Sequence, residues 1–263
     1  MAIPNVVIFG ETGAGKSSLV NLIGGNDVAQ ISSRSFGCTF ESTCYTVNIC
    51  GKQFNLHDTA GLDEGQGGTV AKHDAIVQLY TLLRKLDSGV SLLVFCMRGP
   101  RIKESCVKNW RMFWEIICQR RVPILLAVTG LENEEQGMDV WWTQNEEHFA
   151  TQEMYPNGVA CLTATRGKRR AAGGHRFDEE YEESQAKIRS AIGRIYLRNP
   201  WQVAAIEWFK MIIDVSFTSG KHPKEIRKSR EVLGSATEEL VRRCEMSTEE
   251  ANELARKLHS IQI

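Results

Sequence analysis

The chain has 263 residues, of which 42% are hydrophobic and 24% are charged. That balance excludes an intrinsically disordered chain, and the length suits one full domain plus an appendage. The 32 Lys and Arg residues equal the 32 Asp and Glu residues, so the net charge is zero. Because binding to phosphate backbones usually leaves a basic surplus, we expect no nucleic-acid partner.

The eight cysteines do not have the spacing of zinc ligands, since none forms a CxxC pair. Several lie in apolar runs, where a reduced cysteine behaves as a small hydrophobic residue. The first residues carry no basic leader, and the longest apolar runs, 90–97 and 122–128, fall short of the ~20 residues that span a bilayer. We therefore expect a cytoplasmic protein without a transmembrane segment.

Strand-like and helix-like segments alternate through residues 1–199. The predicted strands are residues 6–9, 43–50, 54–57, 90–97, 124–129 and 159–162, with a hairpin turn at Gly51-Lys52. Apolar residues with helical spacing lie between strands or after the last: Ile76, Leu79, Leu83 and Leu86; Val107, Trp110, Trp114 and Ile117; Ile188, Ile192 and Ile195. This alternation predicts an α/β fold, a doubly wound and mostly parallel sheet whose functional loops lie at the carboxyl ends of its strands.

Pro200 marks a predicted boundary, because proline disfavours helical geometry in the residue before it. We expect an α/β domain at residues 1–199 and a C-terminal helical extension at residues 200–263. The apolar stretch 201–217 either packs on the α/β domain or binds a membrane or a partner. The last predicted helix has a capping box, Ser247 with Glu250, and one apolar stripe, Ala251, Leu254, Leu258 and Ile261.

A phosphate-binding motif follows the first predicted strand. It matches GxxxxGK[ST] in full, and its candidate binding residues are Gly10, Glu11, Thr12, Gly13, Ala14, Gly15, Lys16, Ser17 and Ser18. The glycines let several N–H groups point at one anion, and the helix N-terminus adds partial positive charge. Lys16 is expected to neutralise β- and γ-phosphate oxygens, and Ser17 to offer its hydroxyl to Mg²⁺.

A second motif, His57-Asp58-Thr59-Ala60-Gly61-Leu62, follows the predicted hairpin. An aspartate at a strand end, about forty residues beyond the phosphate loop, is placed to bind Mg²⁺ through water. Gly61 lets its own N–H approach the γ-phosphate closely. The two motifs together predict a nucleotide site in which Lys16 and Gly61 contact phosphate and Ser17 and Asp58 hold the metal ion.

These motifs resemble those of the translation-factor-like class of P-loop GTPases. The stretch from Gly37-Cys38-Thr39 to Gly61 is similar to the GTT…DTAG stretch of tRNA-modifying and ribosome-assembly GTPases. The phosphate loop is more similar to that of septins, chloroplast import-receptor GTPases and immunity-associated (GIMAP-type) GTPases. The resemblance covers residue 3 to about 198. It implies GTP or GDP with Mg²⁺ as ligands, and Thr39 as the first-switch threonine that ligates Mg²⁺; Thr43 is the alternative.

The sequence departs from this class at the base site. The class reads guanine with N/TKxD after the fifth strand, where this chain has Thr129-Gly130-Leu131-Glu132. Glu132 keeps a carboxylate that accepts from guanine N1–H and N2–H₂, or it merely begins an acidic run. Gly130 lacks the aliphatic stem that covers the base, so we expect weaker affinity and fast exchange. Thr163 and Ala164 resemble the SAK box, whose backbone N–H meets guanine O6.

Leu62 stands where Ras-like enzymes carry a water-orienting glutamine. Because leucine cannot hold water, we expect slow intrinsic hydrolysis, with Asp63, Glu64, Gln66 or a partner-supplied group as a substitute. The sequence therefore predicts a GTP-binding switch with slow, Mg²⁺-dependent hydrolysis and an unknown protein effector. The alternatives are a nucleotide-dependent scaffold with little turnover, or an ATP-using enzyme that only the altered base site supports.

Thr12 replaces the glycine of Ras-like enzymes and would crowd an inserted arginine finger. Homodimerisation across the nucleotide face, which the resemblance to septins and GIMAP-type GTPases implies, is the alternative route to activation. Arg34, Arg98 and Arg101 are either sources of positive charge within the chain or ordinary surface cations. The basic stretch 166–176 is either a solvated loop or a dock for acidic partners or anionic lipid, and the acidic run after it has the charge to pair with it.

Overall fold

The computed structural model describes residues 2–25, 29–31, 42–59, 68–202, 238, 240–242 and 246–259. Several residues singled out in the sequence lie outside the described residues: Arg34, Thr39, Gly61, Leu62, Asp63, Glu64, Gln66 and Ile261. Most of the apolar stretch 201–217 lies outside them as well. The roles predicted for these residues therefore stay predictions.

One sheet organises the described part of the chain. Its seven strands are β1 (Asn5–Gly10), β2 (Ala29–Ile31), β3 (Thr43–Ile49), β4 (Lys52–Asp58), β5 (Leu92–Arg98), β6 (Ile124–Thr129) and β7 (Gly158–Cys161), in the order β2-β3-β4-β1-β5-β6-β7. The pairs β2–β3 and β3–β4 are antiparallel, and the other four pairs are parallel. The predicted mostly parallel α/β sheet is confirmed. The edge strand β2 went unpredicted because three residues are too few to show a strand period.

The helices lie on both faces of the sheet. They are α1 (Lys16–Gly24), α2 (Gly68–Lys85), α3 (Glu104–Trp110), which a π-helical segment (Arg111–Ile117) continues, α4 (Met138–Thr151), α5 (Asp178–Ile195) and α6 (Thr248–His259). Each apolar stripe predicted between or after the strands falls on a helix or runs one residue past its end. No helix in the described part of the chain combines the length and apolar content needed to cross a membrane.

Alternating side chains of the central strand enter two separate buried layers. Val7 and Phe9 of β1 pack with residues of α2, α3, α4 and α6, whereas Val6 and Ile8 pack with residues of α1 and α5. A strand covered on both faces is apolar at every position, which explains why β1 reads as one continuous apolar run. The sheet is thus doubly wound, and the functional loops emerge from one of its edges.

The C-terminal helix packs on the same core as α2. Ala251 and Leu254 of α6 are fully buried in the layer that α2 lines. The predicted capping box is present: Ser247 N–H donates to Glu250 Oε2 at 2.9 Å, and Glu250 N–H donates to Ser247 Oγ at 3.2 Å. Trp201, just past the predicted boundary, exchanges two backbone hydrogen bonds with Val90 at 2.8 and 3.0 Å. The division at residue 200 remains a prediction.

Candidate functional site

The end of β4 and the loops that follow β1, β6 and β7 meet at one edge of the sheet. β1 runs parallel to β4, with Ile8 opposite Asp58, and parallel to β5, with Gly10 opposite Cys96. β6 and β7 continue the same direction. Because parallel strands present their carboxyl ends at the same edge, residues distant in the sequence come together there. The phosphate loop, Asp58, the base loop and the predicted SAK-like box all belong to this edge.

The phosphate loop has the backbone conformation that its sequence predicts. Gly13 and Gly15 adopt left-handed φ values of 76° and 90°, which L side chains rarely adopt. Lys16 opens α1 and is 7% exposed. Its Nζ donates to the carbonyl oxygens of Gly10, at 3.2 Å, and Glu11, at 2.8 Å. The ammonium group is therefore held against the loop whose N–H groups and helix N-terminus attract an anion.

Ser17 and Asp58 form the pair that the sequence predicts for a metal ion. Ser17 Oγ donates to Asp58 Oδ2 at 2.7 Å, although the two residues come from α1 and β4. Asp58 Oδ1 is buried and accepts no hydrogen bond from any described residue. Burial raises the pKa of Asp58 above its ordinary value, while the Ser17 hydrogen bond and the Lys16 charge oppose that rise. An oxygen ligand with no partner fits a nearby cation.

The donor set fits Mg²⁺ bound together with phosphate. Within the described ranges, no group of three or more His, Cys, Asp or Glu residues could hold a metal ion by itself. Mg²⁺ commonly binds through one or two protein oxygens plus substrate phosphates and water, so two protein ligands suffice. Thr43, the alternative first-switch threonine, begins β3 opposite Asp58. The choice between Thr43 and Thr39 stays open because Thr39 lies outside the described residues.

Thr129 connects the base loop to the phosphate loop. Its Oγ1 donates to the carbonyl oxygen of Ala14 at 2.6 Å, and the side chain is 3% exposed. Cys96 Sγ donates to the same carbonyl at 3.2 Å, and burial raises the pKa of this thiol to about 12, so it keeps its proton. Both side chains therefore position the phosphate loop. The sequence predicted Thr129 as a base-site residue but contained no signal for Cys96.

Glu11 lies within the phosphate motif but its side chain turns away from the loop. Its carboxylate forms an ion pair with Lys103 at 3.0 Å and accepts a hydrogen bond from Ser105 Oγ, at the start of α3. Cys106 Sγ lies 3.8 Å from the same carboxylate. The Glu11 side chain thus anchors the loop to α3, and only its backbone remains for a nucleotide. The sequence could not reveal these partners, because they lie more than ninety positions away.

Glu132, the predicted base-reading residue, lies in the loop after β6. Glu132 is half-buried, and its Oε2 is buried without a hydrogen-bond partner among the described residues. Leu131 N–H donates to the carbonyl oxygen of Leu162 at 3.4 Å, which joins this loop to the one after β7. A buried carboxylate oxygen without a partner costs free energy unless a ligand supplies the donor. Glu132 is therefore suited to accept from a base.

The two residues of the SAK-like box after β7 have different hydrogen-bonding roles. Thr163 is fully buried, and its N–H donates to Ser184 Oγ of α5 at 3.0 Å. Thr163 Oγ1 in turn donates to the carbonyl oxygen of Thr165 at 3.1 Å. Because the Thr163 amide is occupied by α5, Ala164, which is half-buried, is the residue of the box whose amide remains for guanine O6.

The basic stretch after this box is a hydrogen-bonded turn on the surface. Arg170 N–H donates to the carbonyl oxygen of Gly174 at 2.9 Å, and Arg176 N–H to that of Lys168 at 3.0 Å. Arg166 forms an ion pair with Asp178 at 2.6 Å, so the acidic run does pair with the basic stretch. The exposed cations leave the predicted choice between a solvated loop and a docking surface open.

Arg98 and Arg101 lie beside the phosphate loop. They line a cavity of about 310 Å³ together with Thr12 and Gly13. Thr12 is exposed there, as expected for a residue that would crowd an approaching group. The structure therefore puts these two arginines at the edge where a nucleotide would lie, which their sequence positions alone did not show.

Comparison with known proteins supports the same interpretation of this edge. Residues 5–129 match a family model described as 50S ribosome-binding GTPase. The chain is 28% identical over 169 residues to GTPase Der of Microcystis aeruginosa, covering 62% of this chain and 35% of that protein. It is 30% identical over 141 residues to GTPase Der of Nostoc punctiforme, covering 52% and 28%. The chain thus spans about a third of the length of these relatives.

Solved structures align with the chain over most of its length. Toc33 of Arabidopsis thaliana in complex with GDP and Mg²⁺ aligns with a TM-score of 0.46 and 17% identity, covering 74% of this chain and 87% of that one. A single-residue variant of Era of Aquifex aeolicus, bound to GDP and AlF₄⁻, aligns with a TM-score of 0.50 and 16% identity, covering 85% and 69%. The alignment with Era shows a shared fold, and the match over residues 5–129, just under half of the chain, shows that this part is similar to the GTPase family named above.

Proposed function

We propose that this protein is a guanine-nucleotide switch that binds GTP and GDP with Mg²⁺ and hydrolyses GTP slowly. The observation that carries the proposal is the 2.7 Å contact between Ser17 Oγ and Asp58 Oδ2, next to a lysine held against a phosphate loop. A phosphate cradle by itself binds many anions. A hydroxyl and a carboxylate that meet beside it provide the oxygen ligands for a metal-bound nucleoside triphosphate.

Each residue at the phosphate end of the site has a proposed role in binding the nucleotide or the metal ion. The loop amides and the N-terminus of α1 hold the β-phosphate, and Lys16 neutralises β- and γ-phosphate oxygens. Ser17 and Asp58 would hold Mg²⁺, Asp58 through water. The ion, when bound, neutralises the charge that develops on the transferred phosphoryl group. Because burial raises the pKa of Asp58, its ionised form becomes scarcer as pH falls, and nucleotide affinity in Mg²⁺ should fall with it.

The base end selects guanine through Glu132. Its buried, unpartnered carboxylate oxygen supports acceptance from guanine N1–H and N2–H₂. Adenine presents an acceptor at N1, which an ionised carboxylate would repel. The amide of Ala164 would complete the set at guanine O6. Thr129 contributes by holding the base loop against Ala14 of the phosphate loop.

The switch itself rests on residues that the family resemblance assigns. Thr39, as the first-switch threonine, and Gly61, through its amide, would close on the γ-phosphate and be released after hydrolysis. Leu62 makes the attacking water poorly oriented, so turnover should be slow. A homodimer across the nucleotide face would bring in the missing group, and the exposed Thr12 supports this over an inserted arginine finger.

Calorimetry of the full chain in Mg²⁺ tests the proposal. GDP should bind at least about 100-fold more tightly than ADP, because a carboxylate-based site discriminates strongly. Glu132→Ala should lower that preference by about tenfold or more, whereas Glu135→Ala, at an exposed position in the same loop, should leave it unchanged. Equal affinity for GDP and ADP would contradict the assignment of guanine.

A single-turnover assay tests hydrolysis separately. Slow release of phosphate from bound GTP, lost in Asp58→Asn, is the expected result. No phosphate release over hours would favour the scaffold with little turnover. Light scattering with GDP and with a non-hydrolysable GTP analogue tests the homodimer, and a monomer in both states excludes it.

Three finer assignments are also proposals. The closer relationship to septins, chloroplast import-receptor and GIMAP-type GTPases rests on the sequence of the phosphate loop. A reducing, cytoplasmic location is supported by six free thiols among the described residues: Cys44, Cys50, Cys96, Cys106, Cys118 and Cys161. The protein effector and the expected lack of a nucleic-acid partner remain predictions from the sequence.

A further inference from the structure

The space beside Gly130 is filled by the side chain of Arg98. A Cβ atom added to Gly130 would lie 3.2 Å from Arg98 Cγ and 3.5 Å from Arg98 Nε. Gly130 also has a φ of 80°, which an L side chain rarely adopts. A lysine at residue 130 would therefore be strained by the backbone and would require the Arg98 side chain to shift by a few tenths of an ångström. Gly130 does not simply remove a lysine side chain. It also leaves the space next to its Cα that the Arg98 side chain occupies.

Arg98 is well placed to act on a bound nucleotide. It is the last residue of β5, and its register partner on β6 is Thr129, the first residue of the base loop. The side chain is exposed and lines the cavity that Thr12 and Gly13 of the phosphate loop also line. Its guanidinium makes no hydrogen bond or ion pair with any residue that the structure describes. Arg166, in contrast, is paired with Asp178.

We propose that Arg98 covers the face of the guanine base, in place of the stem that a lysine at residue 130 would provide. The inference rests on the proposed function, because it needs a purine next to Glu132. A guanidinium plane stacks on an aromatic face and adds a cation–π attraction, which an ammonium on a flexible stem achieves less well. The covering group thus comes from the neighbouring strand, and Gly130 provides the room.

This assignment separates two contributions to binding. Stacking on a base face depends little on which purine is bound, since every base has a π-face. Hydrogen bonding by Glu132 depends on the groups at N1 and N2. Arg98 should therefore add affinity for purine nucleotides in general, while Glu132 sets the preference among them.

The experiment measures dissociation constants of the full chain for GDP and for IDP, which lacks the 2-amino group, in Mg²⁺. Arg98→Ala should weaken both by about the same factor, near tenfold, mainly through faster release. Arg98→Lys should lose less affinity for both nucleotides than Arg98→Ala does. Arg194→Ala, an exposed arginine at the end of α5, is the matched control and should bind as the unaltered protein does. Glu132→Gln should instead change the ratio of GDP to IDP affinity.

A charged analogue sharpens the test. The base of 7-methyl-GDP carries a positive charge, which a guanidinium stacked on it would repel. The unaltered protein should therefore prefer GDP to 7-methyl-GDP more strongly than Arg98→Ala does, and contacts of the methyl group with residues other than residue 98 cancel in that comparison. A merely structural role for Arg98 would leave the two ratios equal.

Several outcomes would overturn the inference. Unchanged GDP and IDP affinity in Arg98→Ala, with an unchanged melting temperature, would show that Arg98 does not cover the base. Weakened binding of a GTP analogue with unchanged binding of GDP would place the guanidinium at the γ-phosphate instead. If the unaltered protein bound neither GDP nor IDP, the proposed function itself would fail.

Discussion

The phosphate end and the base end of the site are built in different ways. At the phosphate end, the loop of residues 10–17 supplies most of the binding groups from one continuous stretch and matches its motif at every position. At the base end, the proposed groups come from three separate segments: Arg98 at the end of β5, Glu132 after β6 and Ala164 after β7. Two positions of the expected base motif are altered there.

The difference follows from what each end has to recognise. Phosphate oxygens accept hydrogen bonds from backbone amides, so the loop needs a particular backbone shape, and at Gly13 and Gly15 that shape has φ values that L side chains rarely adopt. The base needs one carboxylate, one amide and one covering group, and each can come from any strand that ends nearby. This chain therefore matches its motif where backbone geometry dictates the residue and departs from it where a side chain on another strand can take over the role.

The largest expected effect comes from removing the charged side chain of Lys16 at the phosphate end. Lys16→Ala should weaken GDP binding by at least about 100-fold, or ~2.7 kcal/mol, because a partly buried charge on the phosphates is lost. The effect should be similar for ADP, since Lys16 does not contact the base. Lys85→Ala, an exposed lysine at the end of α2, is the control.

Calorimetry with GDP and ADP makes this measurement. A loss below tenfold for Lys16→Ala would mean that the loop amides hold the phosphates without the ammonium. A loss of affinity for GDP but not for ADP would mean that Lys16 also affects base recognition. That result would contradict the separation of the phosphate end from the base end.

The parts of the fold that the sequence predicted are those with a strong local pattern. The strand at 124–129 was predicted at the bounds it has, and the three helical stripes within residues 76–195 fall on helices or reach one residue beyond them. At the site, the 2.7 Å contact between Ser17 and Asp58 joins the two residues that the motifs had assigned to the metal ion. The strand, the stripes and the contact between Ser17 and Asp58 follow from spacing along the chain, which a single sequence contains. The metal-binding role of the pair stays a prediction.

The features that the sequence did not reveal all depend on contacts between distant segments. Glu11 is paired with Lys103, and Cys96 donates to Ala14, with more than eighty positions between partners in each case. The filling of the space at Gly130 by Arg98 is of the same kind. No spacing rule connects such residues, so only the packed structure shows them.

The second expected effect concerns His57, which directly precedes Asp58 in β4. The side chain is buried, and its Nε2 lies 3.0 Å from Asn5 Oδ1. Asn5 Nδ2 donates to Ser88 and Gly89, so the oxygen faces His57 and the histidine Nε2 is the donor. Burial lowers the pKa of His57 from 6.5 to about 4, so the folded protein keeps the ring neutral.

Because the unfolded chain takes up the proton first, this contribution to stability is complete above pH 6.5 and is lost as the pH falls towards 4. Between pH 7.5 and pH 5 it should cost about 2 kcal/mol. Urea unfolding of the unaltered protein and of His57→Gln at both values measures it. The variant should lose less stability on acidification, and His148→Gln, at an exposed position, should behave as the unaltered protein does. An equal loss of stability on acidification in His57→Gln and His148→Gln would contradict the lowered pKa of His57.

The smallest expected effect tests the contact that joins the two ends. Thr129→Val keeps the shape of the side chain but removes the hydroxyl that donates to Ala14 at 2.6 Å, leaving a buried carbonyl with only the weak Cys96 donor. We expect a loss of about 1 kcal/mol in the free energy of unfolding. GDP and ADP binding should weaken together by a few-fold, since the loop that holds the phosphates is loosened. Thr129→Ser retains the hydroxyl and should recover most of both losses. If Thr129→Val changed only the preference between GDP and ADP, the hydroxyl would belong to the base end alone, and the two ends would be less tightly joined than the 2.6 Å contact indicates.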